Sequence, residues 1–168
     1  DLINLSRVSA SVVEPESVAQ WKNLAQRMGQ WLQVMSHPDG EIGFFNDAAM
    51  RMAPRPGDLY AYMERLDLAL KPPPGYFLQS SGHVRLENDA AVALLDVAPI
   101  GPDYLPGHAH ADTLSFELSL FGQRVLVNSG VSHYHYDPER LRQRGTAAHN
   151  TVEINGENSS EVWHAFRV

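Results

Sequence analysis

Three consecutive prolines, at residues 72–74, constrain the fold of this chain more than any other feature. A proline lacks the backbone N–H that a helix or a central strand needs, so three in a row predict a stiff, extended connector. The apolar pattern also changes there, from helical spacing before the prolines to strand-like alternation after them. We therefore predict an α+β fold with a helical unit at residues 1–70 and a β-sheet unit at residues 71–168.

The first unit shows one clear amphipathic helix, over residues 15–35. Its apolar residues recur every three or four positions and form one wide face: Val18, Trp21, Leu24, Ala25, Met28, Trp31, Leu32 and Met35. His37-Pro38-Asp39-Gly40 is typical of a turn and ends this helix. We expect a second helix after Asp47 and a third over residues 58–70.

The second unit is predicted to contain short antiparallel strands. In residues 114–120, LSFELSL, apolar and polar side chains alternate strictly, so we expect one buried face and one wet face. Phe121-Gly122-Gln123-Arg124 predicts a hairpin turn into the next strand. Strands are expected at residues 76–79, 83–87, 91–97, 114–121, 124–128, 151–154 and 162–168, a spacing typical of a β-sandwich or barrel.

Composition excludes several classes of partner. The formal net charge is −7, so we expect no nucleic-acid partner. No apolar run approaches the roughly 20 residues of a membrane span, so we expect no membrane insertion. The absence of cysteine excludes disulfides and thiolate metal sites. The first residue is aspartate and no signal-peptide pattern follows, so we interpret the chain as part of a longer protein.

The residues with the most chemical meaning are the histidines of GHAHAD. In an extended segment His108, His110 and Asp112 share one side, directly after a loop rich in glycine and proline. A hydrogen-bonding pair on the surface explains this spacing as well as a site does. The predicted hairpin brings Asn128 close to the pair, and His149 begins a later strand. Two imidazoles and an oxygen ligand suit zinc, but asparagine is a weak ligand, so the set His110, Asn128 and His149 is chemically incomplete.

The long connection at residues 131–148 is rich in groups that bind acidic sugars. It carries Tyr134 and Tyr136, together with arginines at alternate positions: Arg140, Arg142 and Arg144. The planar guanidinium of arginine matches a carboxylate or sulfate group. A cationic rim with a tyrosine is one interpretation, in which Tyr134, Arg140 and Arg144 bind substrate. An ordinary solvated loop is the other.

Several motifs together resemble the heparinase II/III family of polysaccharide lyases, and in particular the bacterial branch found with exopolysaccharide genes. They are PGHAHAD, LSFE, Tyr136 with Arg140, RGTAAHNTV and SEVW, preceded by HPDG, FFNDAA and Ser81-Gly82. The resemblance implies that residues 1–70 end an incomplete helical toroid and that residues 71–168 begin an antiparallel β-sandwich. It also implies β-elimination on a uronic-acid-containing polysaccharide, an acidic polysaccharide as partner, and a periplasmic or cell-envelope location.

The same resemblance implies roles for individual residues. His108 matches the active-site histidine that faces the substrate. His110 and His149 match two ligands of a mainly structural zinc, whose third ligand is an aspartate at the position of Asn128; in some members the counterpart of His149 is near catalysis instead. Tyr136, and next Tyr134, is the expected tyrosine in the cleft. The principal tyrosine of the family would precede Asp1, so we expect this chain alone to be inactive.

Two other functions fit parts of the pattern. A cupin-like metalloprotein also has a His-x-His pair after glycine, but Glu117 lies too far from His110 for the usual spacing. A non-catalytic carbohydrate- or metal-binding β-domain would use the same arginines and tyrosines. Unsaturated product from the full-length protein would distinguish the lyase from both.

Overall fold

The structure is a computed structural model that describes residues 4, 14–72 and 76–168. Within residues 14–168 as described, two helices precede a five-stranded antiparallel sheet, and a third helix follows it. The helices are α1 (Pro15–Val34), α2 (Pro56–Arg65) and α3 (Pro138–Arg144), with a 3₁₀ turn at Thr146–Ala148. The strands are β1 (Phe77–Leu78), β2 (His83–Glu87), β3 (Ala91–Asp96), β4 (Phe116–Leu120) and β5 (Gln123–Leu126). The α+β class is confirmed.

The helices α1 and α2 pack together through a small apolar core. Ala25 of α1 and Met63 of α2 are buried with Leu68, which follows α2. Gly29 lies at this contact, and a Cβ there would lie 2.6 Å from Leu70 Cδ2, so a larger residue would require the Leu70 side chain to shift. Each helix begins at a proline, where the missing N–H costs nothing. None of the helices in the described part of the chain is long and apolar enough to cross a membrane.

The five strands follow one another in chain order, each antiparallel to the next. Leu94, fully buried at the centre of β3, pairs with Arg85 on one side and with Glu117 on the other. The hairpin between β4 and β5 is confirmed, with Phe121 and Gly122 both at positive φ in its turn.

The face of β4 that we expected to be in contact with water is buried, and the apolar face is only half-buried. The alternation in β4 is real, but Ser115, Glu117 and Ser119 point to the buried side. The apolar Phe116 and Leu118 are only half-buried. Polarity alone predicted a wet face there, whereas the polar side chains are buried because they have hydrogen-bond partners.

A polar network explains this buried face. His37, in the turn after α1, contacts Ser119 Oγ through Nδ1 and Glu117 Oε2 through Nε2, both at 2.8 Å. The other carboxylate oxygen, Glu117 Oε1, accepts the backbone N–H groups of Phe44 at 3.0 Å and Asn128 at 2.9 Å. Glu117 thus joins the segment after α1, the strand β4 and the residues after β5.

Replacing Glu117 with glutamine is expected to lower the free energy of unfolding by about 2 kcal/mol. The amide has one acceptor oxygen and an NH₂ group that faces donors, so charge-assisted hydrogen bonds are lost. Thermal unfolding of the full-length protein measures the effect. Glu157→Gln, a change at an exposed position, is the matched control, and equal melting temperatures for the two variants would contradict the prediction.

Three expected elements are absent at their expected positions, and a fourth has different bounds. Residues 46–55 form turns and not a helix, and the helix expected at 58–70 is Pro56–Arg65. Residues 151–154 and 162–168 are turns closed by the isolated bridges Ile154–Glu157 and His164–Arg167. The connection at 131–148 contains α3, whose N-cap Asp137 accepts the N–H of Arg140.

Two expectations lie at the edge of the described residues. Residues 73–75 are outside them, so the extended proline connector stays a prediction. The division into domains at residues 70 and 71 also stays a prediction, although helices precede these positions and strands follow them.

Candidate functional site

The carboxylate of Asp47 is the centre of the candidate site. It is buried, and Oδ2 lies 2.8 Å from His108 Nδ1 while Oδ1 lies 2.8 Å from His110 Nε2. Arg140 binds the same carboxylate with two nitrogens, Nη1 at 2.5 Å from Oδ1 and Nη2 at 2.8 Å from Oδ2. The two histidines of GHAHAD therefore share one hydrogen-bond partner.

This arrangement keeps Asp47 ionised. Burial would raise its pKa, but the hydrogen bonds from His110, Arg140 and His108 outweigh burial and hold the pKa well below the usual range. The site thus contains a permanent buried negative charge, neutralised mainly by Arg140.

His108 is the exposed member of the cluster. Its side chain is 65% exposed, although its carboxylate partner is buried. Because Nδ1 donates to Asp47, the lone pair of the neutral ring is on Nε2. An imidazole oriented by a carboxylate, with its second nitrogen free to exchange a proton, is the arrangement of a general base.

A second cluster shares His110 with the first. His110, Asp112 and His149 each offer one potential ligand atom, and these atoms all lie within 4.8 Å of one another. His110 Nδ1 and His149 Nε2 are buried and have no hydrogen-bond partner among the described residues. Unpaired buried nitrogens are costly unless something binds them. This group could hold a metal ion.

The protonation states of the three side chains in this cluster favour binding of a cation. Burial lowers the pKa of His149 to about 4, with a smaller contribution from His110, and burial also lowers the pKa of His110. Both rings are therefore neutral near pH 7 and have a lone pair to donate. Burial and the charge of Asp96 raise the pKa of Asp112 to about 7. A bound cation would offset the desolvation of that carboxylate.

Asn128 has a different place from the one we expected. Its Oδ1 lies 2.8 Å from His149 Nδ1 and also accepts the N–H of Ser129, so it stands behind the ring. Asp112 supplies the oxygen atom of the cluster instead. Asn128 fixes the tautomer that leaves His149 Nε2 free, as outer partners of metal-binding histidines commonly do. Asp47 does the same for His110.

The arginines expected on a cationic rim lie beneath the surface. Arg140 and Arg144 are both fully buried. Besides Asp47, Arg140 binds the carbonyl of Ala165, and Arg144 binds the carbonyl groups of Ala109, His164 and Arg167. The structure thus gives these side chains a supporting position, in which they hold backbone segments next to His108.

The two tyrosines are near the site but in a different order from the expected one. The ring of Tyr134 lies 6.0 Å from that of His108, whereas Tyr136 stacks on His164 with centroids 4.2 Å apart. Phe166 is a further neighbour of His108, at 5.8 Å.

Sequence reasoning gave no role to Asp47 or Phe166. They are 61 and 58 positions away from His108 along the chain, and no spacing rule connects residues in turns over such distances. The only signal for Asp47 was its place in the FFNDAA motif.

Comparison with known proteins identifies a family and several similar folds. The family model described as "Heparinase II/III-like, C-terminal" matches residues 70–168. No curated protein sequence matches the chain closely enough to count as a relative. Among solved structures, one described as heparinase III is 17% identical with a TM-score of 0.69, covering 94% of this chain and 30% of that one. A heparan sulfate lyase HepC mutant from Pedobacter heparinus is 23% identical with a TM-score of 0.66, covering 94% and 27%.

This chain therefore spans less than a third of the length of those two solved structures. At these identities the likeness concerns the fold, and it confirms the last helices of a toroid followed by part of an antiparallel β-sandwich. The family match covers more than half of the chain and includes both histidine motifs. The chain belongs to the family described as heparinase II/III-like, C-terminal.

Proposed function

We propose that the protein containing this chain cleaves a uronic-acid-containing polysaccharide by β-elimination. One observation supports this most directly: the exposed His108 ring is oriented by Asp47, a carboxylate that is buried and ionised. β-Elimination needs a base to remove the proton α to the uronate carboxylate, and a positive group near that carboxylate stabilises the resulting charge.

The residues of this chain meet part of that demand. His108 Nε2 takes up the proton, and Asp47 then stabilises the imidazolium that forms. The positive ring remains close to the uronate carboxylate, whose negative charge grows as the proton leaves. Tyr134, beside His108, offers a phenol that can give a proton to the departing glycosidic oxygen. Tyr136 stacks on His164 instead, and the free nitrogen of His149 belongs to the metal cluster.

The test is the ultraviolet absorbance of the unsaturated uronate that β-elimination leaves. The full-length protein is incubated with heparan sulfate, hyaluronan, alginate and polygalacturonate, with neutral dextran as control. A rising signal with one acidic polymer would support the reaction and name the sugar. A flat trace for all four, with the protein shown to be folded, would contradict it and favour a non-catalytic carbohydrate-binding domain.

We propose zinc as the metal of the His110, Asp112 and His149 cluster, because two imidazoles and a carboxylate form a donor set that zinc commonly takes. When bound, zinc would hold residues 110–112 and His149 together and would have a structural role, since the base His108 is not among its ligands.

The ligand set can be tested by two substitutions with opposite effects. Asp112→Asn is expected to weaken zinc binding at least tenfold, since it removes an anionic ligand. Asn128→Asp is expected to strengthen it by about tenfold, because a carboxylate behind His149 makes the ring a better donor. Zinc affinity is measured by competition with a chromophoric chelator. If Asp112→Asn leaves the affinity unchanged, Asp112 is not a ligand.

A further inference from the structure

Two chain segments next to His108, residues 134–136 and 163–166, carry several exposed aromatic rings. We call this group the aromatic strip, and its members are Tyr134, Tyr136, Trp163, His164 and Phe166. The rings of Tyr134 and Phe166 are 5.7 Å apart, and each lies within 6.0 Å of the His108 ring. The strip therefore begins at the proposed base.

The other three rings of the strip contact one another. Tyr136 and His164 are stacked almost in parallel, at 4.2 Å and 7°. Trp163 stands edge-on to His164 at 6.4 Å. The stacked pair and Trp163 come from the same two segments as Tyr134 and Phe166, so the two groups of rings are at most three residues apart along the chain.

The rings of the strip are unusually exposed for large apolar side chains. Trp163 is 59% exposed and Tyr136 is 57% exposed, while Phe166 and Tyr134 are 41% and 37% exposed. Contiguous exposed apolar surface is uncommon in proteins and often marks a binding site. Polar tips on the tyrosines and on His164 suit a partner that has both apolar and hydroxyl groups.

Buried charges hold the strip in place. Arg140 binds the carbonyl of Ala165, and Arg144 binds the carbonyls of His164 and Arg167, so the turn that carries the second segment is fixed from below. The Arg140 guanidinium lies 5.2 Å from the Tyr134 ring centre and 5.6 Å from that of Phe166. A surface fixed before the ligand arrives loses little entropy on binding.

From these observations we propose that the aromatic strip is a subsite that binds pyranose rings of an acidic polysaccharide. One face of a pyranose presents C–H groups, which the negative face of an aromatic ring attracts. Tyr134 and Phe166 would pack against the sugar at His108, and Tyr136 and Trp163 against a neighbouring sugar. The identity of the ligand rests on the proposed function, whereas the existence of a sugar subsite does not require turnover.

The experiment measures binding and not catalysis. Full-length protein with His108→Ala, which is expected not to cleave the polymer, is titrated with heparan sulfate, hyaluronan and alginate by calorimetry. Adding Trp163→Ala or Phe166→Ala is expected to weaken binding of the recognised polymer by about 3- to 10-fold. Adding Phe121→Ala, an aromatic deletion in the β4–β5 turn where Phe121 is 83% exposed, is expected to leave binding unchanged.

Two further variants separate the contribution of the Tyr136 ring from that of its hydroxyl group. Tyr136→Phe retains the ring and is expected to lose less affinity than Tyr136→Ala, which removes both the ring and the hydroxyl group. Unchanged affinity in both Trp163→Ala and Phe166→Ala would overturn the proposal. A fall in melting temperature in these variants without a fall in affinity would also overturn it, since the strip would then be packed against another part of the protein.

The same variants distinguish a failure of the proposed β-elimination from a failure of the proposed subsite. If the protein with His108 intact gives no unsaturated product, but Trp163→Ala and Phe166→Ala still weaken binding, the subsite is supported and the β-elimination is not. If the parent binds none of the three polymers, the subsite is overturned whether or not another substrate is cleaved.

Discussion

Replacing Asp47 with asparagine is expected to abolish measurable turnover and to lower the melting temperature sharply. The buried carboxylate accepts hydrogen bonds from His108, His110 and both terminal nitrogens of Arg140. An asparagine side chain has one acceptor oxygen, and its NH₂ group faces donors. It also leaves the fully buried guanidinium of Arg140 without a counter-charge, which typically costs about 3–5 kcal/mol. The two histidines lose the partner that orients them.

Thermal unfolding and the absorbance assay on the full-length protein measure both effects. Asp39→Asn is the matched control, because Asp39 pairs with Arg124 near the surface. An ion pair of that kind contributes about 1 kcal/mol or less. If Asp47→Asn behaves like Asp39→Asn in both measurements, Asp47 is not the centre of the site.

Replacing His108 with alanine is the second change with a large expected effect. Loss of a positioned base typically lowers the rate by about 10²- to 10⁴-fold. The side chain is 65% exposed, so the melting temperature should change little. Activity and stability are therefore expected to separate, which is the opposite of the Asp47→Asn result.

The measurement compares kcat and KM for His108→Ala with those of His135→Ala, which changes an exposed histidine outside the cluster. A fall in kcat only in His108→Ala would support its role as the base. Turnover at the rate of the unsubstituted protein would show that another group removes the proton.

Local patterns predicted a large part of this fold. Helical periodicity identified α1, and the turn Phe121-Gly122 identified the β4–β5 hairpin, because both signals involve neighbouring residues. The GHAHAD motif indicated that His108 and His110 lie close together, and both contact Asp47, although this segment contains a turn and no strand. The family resemblance, based on motifs along most of the chain, is confirmed by the family match.

The expectations that differ from the structure depend on contacts between distant residues. Ser119 was expected to face water, but it is buried because His37, 82 positions away, binds it. Arg140 was expected to face a sugar, but it is buried because Asp47, 93 positions away, neutralises it. A sequence shows that a side chain is charged or polar, and only the fold shows whether a partner compensates for its burial.

The contact between His37 and Glu117 has a consequence for how this protein can be divided. The proline run marks a change of secondary structure, yet the hydrogen bonds that satisfy Glu117 come from residues on both sides of it. A truncated protein that begins after the prolines would lack His37 and Phe44 and would leave a carboxylate without two of its donors inside a protein core. The cooperative folding unit is thus larger than either half. A recombinant sheet domain from this chain should begin before His37, so that both partners of Glu117 are included.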